Sequence, residues 1–166
     1  MESVYVHIPF CRSICSYCDF CKMIYHAPWI TKYLNALLLE INEKYEGEEI
    51  KTWYVGGGTP SCLNGKELRY LMSVLGKIKL AKEYEFTFEC NLNDINDELL
   101  TILKDNGVNR LSIGIESFNQ EKLAFMERKH TYKEAREAMG LIRSYGFNNV
   151  NFDLIFTSPT IALVGR

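Results

Sequence analysis

Three cysteines, Cys11, Cys15 and Cys18, stand in the run His7-Ile-Pro-Phe-Cys-Arg-Ser-Ile-Cys-Ser-Tyr-Cys-Asp-Phe20 with the spacing C-x3-C-x2-C. Thiolates this close share a metal ion or a cluster, and soft sulfur selects iron–sulfur clusters or zinc over hard cations. A [4Fe-4S] cube held by three protein thiolates keeps one iron open for a small chelating ligand. A fourth thiol, Cys21, lies in the same loop. It offers a second chemistry, a zinc ion in a four-sulfur tetrahedron. Zinc knuckles usually pair two separated cysteine hairpins, however, and here all four thiols lie in one loop, so a cluster is the better reading. Cys62 and Cys90 read as small buried residues rather than ligands.

Other residues could serve a ligand at such a cluster. Gly56-Gly-Gly-Thr-Pro60 removes three consecutive side chains, which lets a ligand approach the backbone; the same residues could also form a plain turn. The run fits neither the dinucleotide G-x-G-x-x-G pattern nor the P-loop. Glu89, Glu116 and Asp153 are carboxylates near strand ends, able to meet a diol or a cation, or simply to cap a helix or pair with a lysine. Arg128 could hold a ligand carboxylate or be a solvated helix residue. His7 reads as a hydrogen-bonded core residue, and no two histidines have metal-ligand spacing.

The elements that must position these groups alternate. Ser3 to Ile8 reads as a strand, and Trp29 to Tyr45 as a helix with Leu34, Leu37, Leu38 and Ile41 on one face. Thr52 to Val55 is a second strand. Asn64 with Glu67 opens a helix as a capping box, with Leu68, Leu71, Met72 and Leu75 as its inner stripe. Glu85 to Glu89 is a third strand. A helix over Asp97 to Asp105 stops at Gly107. Arg110 to Ile115 is a fourth strand, Thr131 with Glu134 caps another helix, and Val150 to Ile155 is a fifth strand. Five β–α steps in order predict an α/β fold with a parallel sheet, doubly wound or rolled into part of a TIM-type barrel. The cysteine loop, the glycine run and the acids all fall at the carboxyl ends of strands, where such folds bind ligands.

With 166 residues and a hydrophobic fraction of 47%, the chain suits one domain with a substantial core. A net charge of −2 without a basic stripe argues against nucleic-acid binding. No secretory leader and no bilayer-length apolar run is visible. Four cysteines crowded into eleven residues suit a reducing compartment, so a cytoplasmic location is expected.

Several segments together resemble one branch of the radical S-adenosylmethionine (SAM) superfamily, the oxygen-independent coproporphyrinogen III oxidase family, which includes a large heme-chaperone branch. They are Tyr5-Val-His-Ile-Pro-Phe-Cys11, Tyr17-Cys-Asp-Phe20, Gly56-Gly-Gly-Thr-Pro-Ser61, Phe86-Thr-Phe-Glu89, Asn109-Arg-Leu-Ser-Ile-Gly114 and Asp153-Leu-Ile155. The resemblance implies a partial TIM-type (β/α) barrel of the radical SAM type, here truncated after about five β/α units. It assigns residues 1–159 to the core and 160–166 to a tail outside the family pattern. It implies that Cys11, Cys15 and Cys18 hold a [4Fe-4S] cluster. It also implies SAM contacts from Tyr5, Tyr17, Gly57, Gly58, Thr59, Glu89, Glu116, Arg128 and Asp153, with the glycine run serving the methionine amino group. The implied chemistry is reductive cleavage of SAM to a 5′-deoxyadenosyl radical in porphyrin metabolism. The implied partners are a porphyrinogen or heme and an electron donor such as a flavodoxin or ferredoxin. A heme-binding chaperone that keeps the cluster and SAM site is the alternative, and a zinc-bound structural module a more distant one. Phe20, where the oxidases carry a further cysteine, and the start of the chain on its first strand favour the chaperone branch. The family usually carries glutamine where Glu116 stands. A chain ending at the fifth strand is expected to expose a sheet edge and an inner apolar layer including Phe86, Phe88 and Phe152.

Overall fold

The computed structural model describes residues 2–156. One sheet of five parallel strands runs in simple sequence order: β1 (Ser3–Ile8), β2 (Ile50–Gly57), β3 (Leu80–Asn91), β4 (Arg110–Glu116) and β5 (Asn149–Leu154). Between them lie α1 (Ala27–Lys44), α2 (Gly65–Leu75), α3 (Asp97–Asp105), α4 (Gln120–Phe125) and α5 (Tyr132–Ser144). Both expected capping boxes form: Asn64 with Glu67 starts α2, and Thr131 with Glu134 starts α5. Each pairs two otherwise orphaned backbone donors reciprocally. Residue 107 ends α3 with φ +84, the left-handed conformation that glycine adopts without penalty. The tail at 160–166 lies outside the described residues.

Alternation along the strands separates the two faces of the sheet. Val6 and Ile8, Trp53 and Val55, Phe86 and Phe88, and Leu111, Ile113 and Ile115 are all buried, and they pack with Leu34, Leu68, Leu71, Leu100 and Ile142 of the helices in one core. The intervening positions are polar, and the strand register carries them across the sheet in rows. Tyr54 aligns with Thr87, Glu89 with Ser112, and Gly114 with Asp153.

This arrangement corrects one expectation. Phe86 and Phe88 do not form an exposed inner layer; they point at the helices and are 3% and 0% exposed. The face away from the helices is polar instead. Phe152, in register with buried Ile113, is exposed because β5 has a neighbour on one side only among the described residues.

Candidate functional site

At the carboxyl end of the sheet a cavity of about 520 Å³ opens under the cysteine loop. The loop is pinched at its base, where Phe10–Cys11 pairs in parallel with Met23–Ile24. The Tyr25 N–H donates to the Cys11 carbonyl at 2.8 Å, and that of Met23 to Pro9 at 2.7 Å. The glycine run lies against the same stem: Gly58 N–H bonds to Ile8 and Thr59 N–H to Phe10, at 2.9 and 2.8 Å.

Of the twelve site residues expected from sequence, eleven line this cavity: Cys11, Cys15, Cys18, Tyr17, Gly57, Gly58, Thr59, Glu89, Glu116, Arg128 and Asp153. Tyr5 does not. Its hydroxyl bonds to His7 Nδ1 at 3.0 Å and its ring stacks on Tyr54 at 6.0 Å, so it reaches the cavity only through neighbours. Cys21 also lies apart; its thiol is exposed and its carbonyl is 2.8 Å from His7 Nε2.

The thiol set fits a cluster in its chemistry. All six cysteines are free, and Cys11 is buried with its sulfur accepting from the Thr59 hydroxyl at 3.4 Å. Burial pushes the Cys11 thiol up, and the Thr59 contact opposes that by favouring the thiolate. Among the described residues, no three His, Cys, Asp or Glu groups converge on a single metal ion. Cys15 and Cys18 are partly exposed on the loop, facing the cavity. Cys62 and Cys90 are buried, 0% and 5% exposed, as expected of packing residues. Burial raises both thiols, Cys62 to about 12.

The carboxylates are held by donors from neighbouring strands. Glu89 accepts from Tyr54 Oη at 2.7 Å and from Gly57 N–H at 3.0 Å. Burial, then this carboxylate, raises the Tyr54 phenol, which therefore stays a donor. Asp153 accepts from Asn151 Nδ2 at 2.8 Å and meets the Ser112 hydroxyl at 3.3 Å. Glu116 sits where the β4–β5 register slips, with φ 64, and Ser117 N–H bonds back to the Ile115 carbonyl at 2.8 Å. A non-glycine residue in this conformation is strained, and such strain collects at functional sites. The turn brings Glu116 onto Arg128, and Arg128 Nε also donates to Tyr17 Oη at 2.9 Å. Burial works against the Arg128 charge, but Tyr17 and Glu116 outweigh it and raise its pKa.

Tyr54, Ser112, Arg12 and Asp94 also line the cavity and were missed in the sequence. Strand alternation could have found the first two, since Tyr54 and Ser112 share the polar face with Glu89 and Asp153.

A model of the radical SAM superfamily matches residues 5–161 of this chain. The chain belongs to the radical SAM superfamily. It is 39% identical to the heme chaperone HemW of Lactococcus lactis over 95% of its length and 42% of the relative's. It is 30% identical to the oxygen-independent coproporphyrinogen III oxidase of Helicobacter pylori, over 95% of this chain and 36% of that one. The structure of coproporphyrinogen III oxidase (HemN) from Escherichia coli, a radical SAM enzyme, superposes with a TM-score of 0.87 at 31% identity, covering 95% of this chain and 37% of that one. The chain thus spans less than half the length of these relatives, and its open parallel sheet is part of a barrel of the radical SAM type. Membership implies a [4Fe-4S] cluster, SAM and a reductant. No described helix is long and apolar enough to cross a membrane.

Proposed function

We propose that this chain is the cluster- and SAM-binding part of a radical SAM protein of porphyrin or heme metabolism, akin to the oxygen-independent coproporphyrinogen III oxidases. The observation that carries the reading is the single cavity that gathers Cys11, Cys15 and Cys18 with Glu89, Glu116, Arg128 and Asp153 at the carboxyl ends of five parallel strands. In this reading the three thiolates hold the [4Fe-4S] cluster and Cys21 does not. When bound, the reduced cluster supplies the electron that cleaves SAM to a 5′-deoxyadenosyl radical.

The protein's part is to bind and orient. The Thr59 hydroxyl donates to the Cys11 sulfur, and hydrogen bonds to ligand sulfurs help set a cluster's potential. Glu89, fixed by Tyr54 and Gly57, presents an immobile negative charge to a cationic ligand. Asp153, steadied by Asn151 and Ser112, suits a ribose diol. The Gly57, Gly58 and Thr59 N–H groups are already spent on Glu89, Ile8 and Phe10. An ammonium needs acceptors, and carbonyl oxygens are what this segment has to offer. Tyr17 and Glu116 bracket Arg128 and hold its guanidinium at the cavity wall for a carboxylate. Tyr5 acts through its contacts to His7 and Tyr54.

A heme-delivery role is the second reading, prompted by the 39% identity to a protein named heme chaperone. Anaerobic reconstitution followed by dithionite and SAM tests the first reading: 5′-deoxyadenosine should appear with the cluster and not without it. Titration with heme tests the second. A stoichiometric Soret band with no porphyrin product supports delivery, and no band removes it.

A further inference from the structure

The cysteine loop is short of main-chain support. Among the described residues, the only main-chain bond donated from within residues 12–20 outside regular structure runs from Cys18 N–H to the Cys15 carbonyl, at 3.2 Å. Side chains therefore decide where the loop lies. On one side Tyr17 meets Arg128. On the other, Arg12 Nε lies 3.4 Å from Asp94 Oδ1, and the guanidinium lies over the Tyr25 ring at 5.7 Å.

Asp94 is a built acceptor rather than a passing surface charge. Its side chain is 11% exposed, and its second oxygen accepts from Ser61 Oγ at 2.7 Å. Ser61 is buried, and its hydroxyl oxygen accepts the Asn91 N–H at 2.9 Å. The carboxylate is thus fixed to the end of β3 and to the segment after the glycine run. Arg12 belongs to the stretch between Cys11 and Cys15, so the point where it docks fixes the path between those two thiols.

We propose that Arg12 is a positioning residue for the cluster: by docking on the Asp94–Ser61 pair it holds the Cys11–Cys15 segment over the cavity before and after iron–sulfur loading. The proposal rests on the cluster reading above. Because the Arg12 side chain is 60% exposed, the effect is modest and screened by salt.

The test uses the full chain, reconstituted anaerobically, and follows iron loss to a ferrous chelator in wild type, Arg12→Gln, Asp94→Asn, the double variant and Arg12→Lys. Arg12→Gln should lose iron about fivefold faster at low salt, and the gap to wild type should close near about 1 M salt. The double variant should be no faster than the faster single variant, and Arg12→Lys should fall between wild type and Arg12→Gln. Hydrogen exchange over residues 12–18 of the iron-free protein should also quicken in Arg12→Gln, with the thermal midpoint unchanged. Wild-type rates of iron loss in Arg12→Gln, or single effects that multiply in the double variant, would overturn the proposal. If wild type takes up no iron and sulfide, the cluster reading fails first. The exchange measurement then still decides Arg12, and unchanged exchange at residues 12–18 would sink the anchor.

Discussion

The glycine run and the cysteine loop meet at one end of the sheet, yet they are held in opposite ways. A Cβ on Gly57, which sits at φ +115, would come within 2.5 Å of the His7 ring, and one on Gly58 within 2.8 Å of the Phe10 carbonyl oxygen. The glycines are therefore required first by the protein's own packing, and only then by any ligand. The cysteine loop has no such packing. Ile14 and Phe20 are exposed, and the loop is tied down by Arg12, Tyr17 and Lys22, whose ammonium folds back onto the Cys18 carbonyl. One wall of the cavity is fixed by close backbone packing; the other is held by a few side-chain contacts.

The sharpest break of this comparison is Gly57→Val against Ile14→Ser. A β-branched residue at a left-handed position, forced onto His7, should cost about 3 kcal/mol in urea unfolding. Ile14→Ser on the loop should stay within about 0.5 kcal/mol. Equal losses would show that the loop is as tightly built as the turn. Loss of SAM binding in Gly57→Val must accordingly be read beside its stability.

A smaller effect tests the hinge between turn and ligand. Glu89→Gln keeps shape but removes the charge that accepts from Tyr54 and Gly57. SAM affinity of the cluster-loaded protein, measured by calorimetry, should fall about tenfold. An unchanged affinity would leave Glu89 as a strut for the turn alone.

The smallest effect concerns His130, close by Arg128. It is buried, and among the described residues neither ring nitrogen makes a well-formed hydrogen bond, although the backbones of Ser117 and Ile115 lie close enough to favour its charged form weakly. Burial, and then Arg128, lowers its pKa below the ordinary 6.5. The unfolded chain therefore binds a proton that the folded chain refuses, so stability falls as pH drops below 6.5. His130→Gln should remove that slope in unfolding measured between pH 7 and about pH 5, the range just below an ordinary histidine pKa. A slope identical to wild type would place the proton uptake on another group.

Much of this was legible because local rules and the fold agree. The capping boxes at Asn64 and Thr131, the helix over Asp97–Asp105 and the alternation of strands with helices follow from periodicity and end signals; the spatial order of the strands does not, since periodicity fits a doubly wound sheet and a barrel alike. The strand expected over Glu85–Glu89 extends to Leu80–Asn91, since nothing local stops it. The six-residue α4, capped by Asn119, is too short to show a period. Alternation shows that Phe86 and Phe88 share a face but not which face meets the helices; that follows only when the whole sheet is assembled. The Arg12–Asp94 and Arg128–Glu116 pairings join segments by tertiary geometry, which no local spacing encodes.

The central claim is that three thiols, not four, hold the metal. Iron and acid-labile sulfide should be measured after anaerobic reconstitution of wild type, Cys15→Ala and Cys21→Ala. Wild type and Cys21→Ala should each carry about four irons and four sulfides, and Cys15→Ala should carry none. Loss of both in Cys21→Ala, or zinc without sulfide in wild type, would contradict the account.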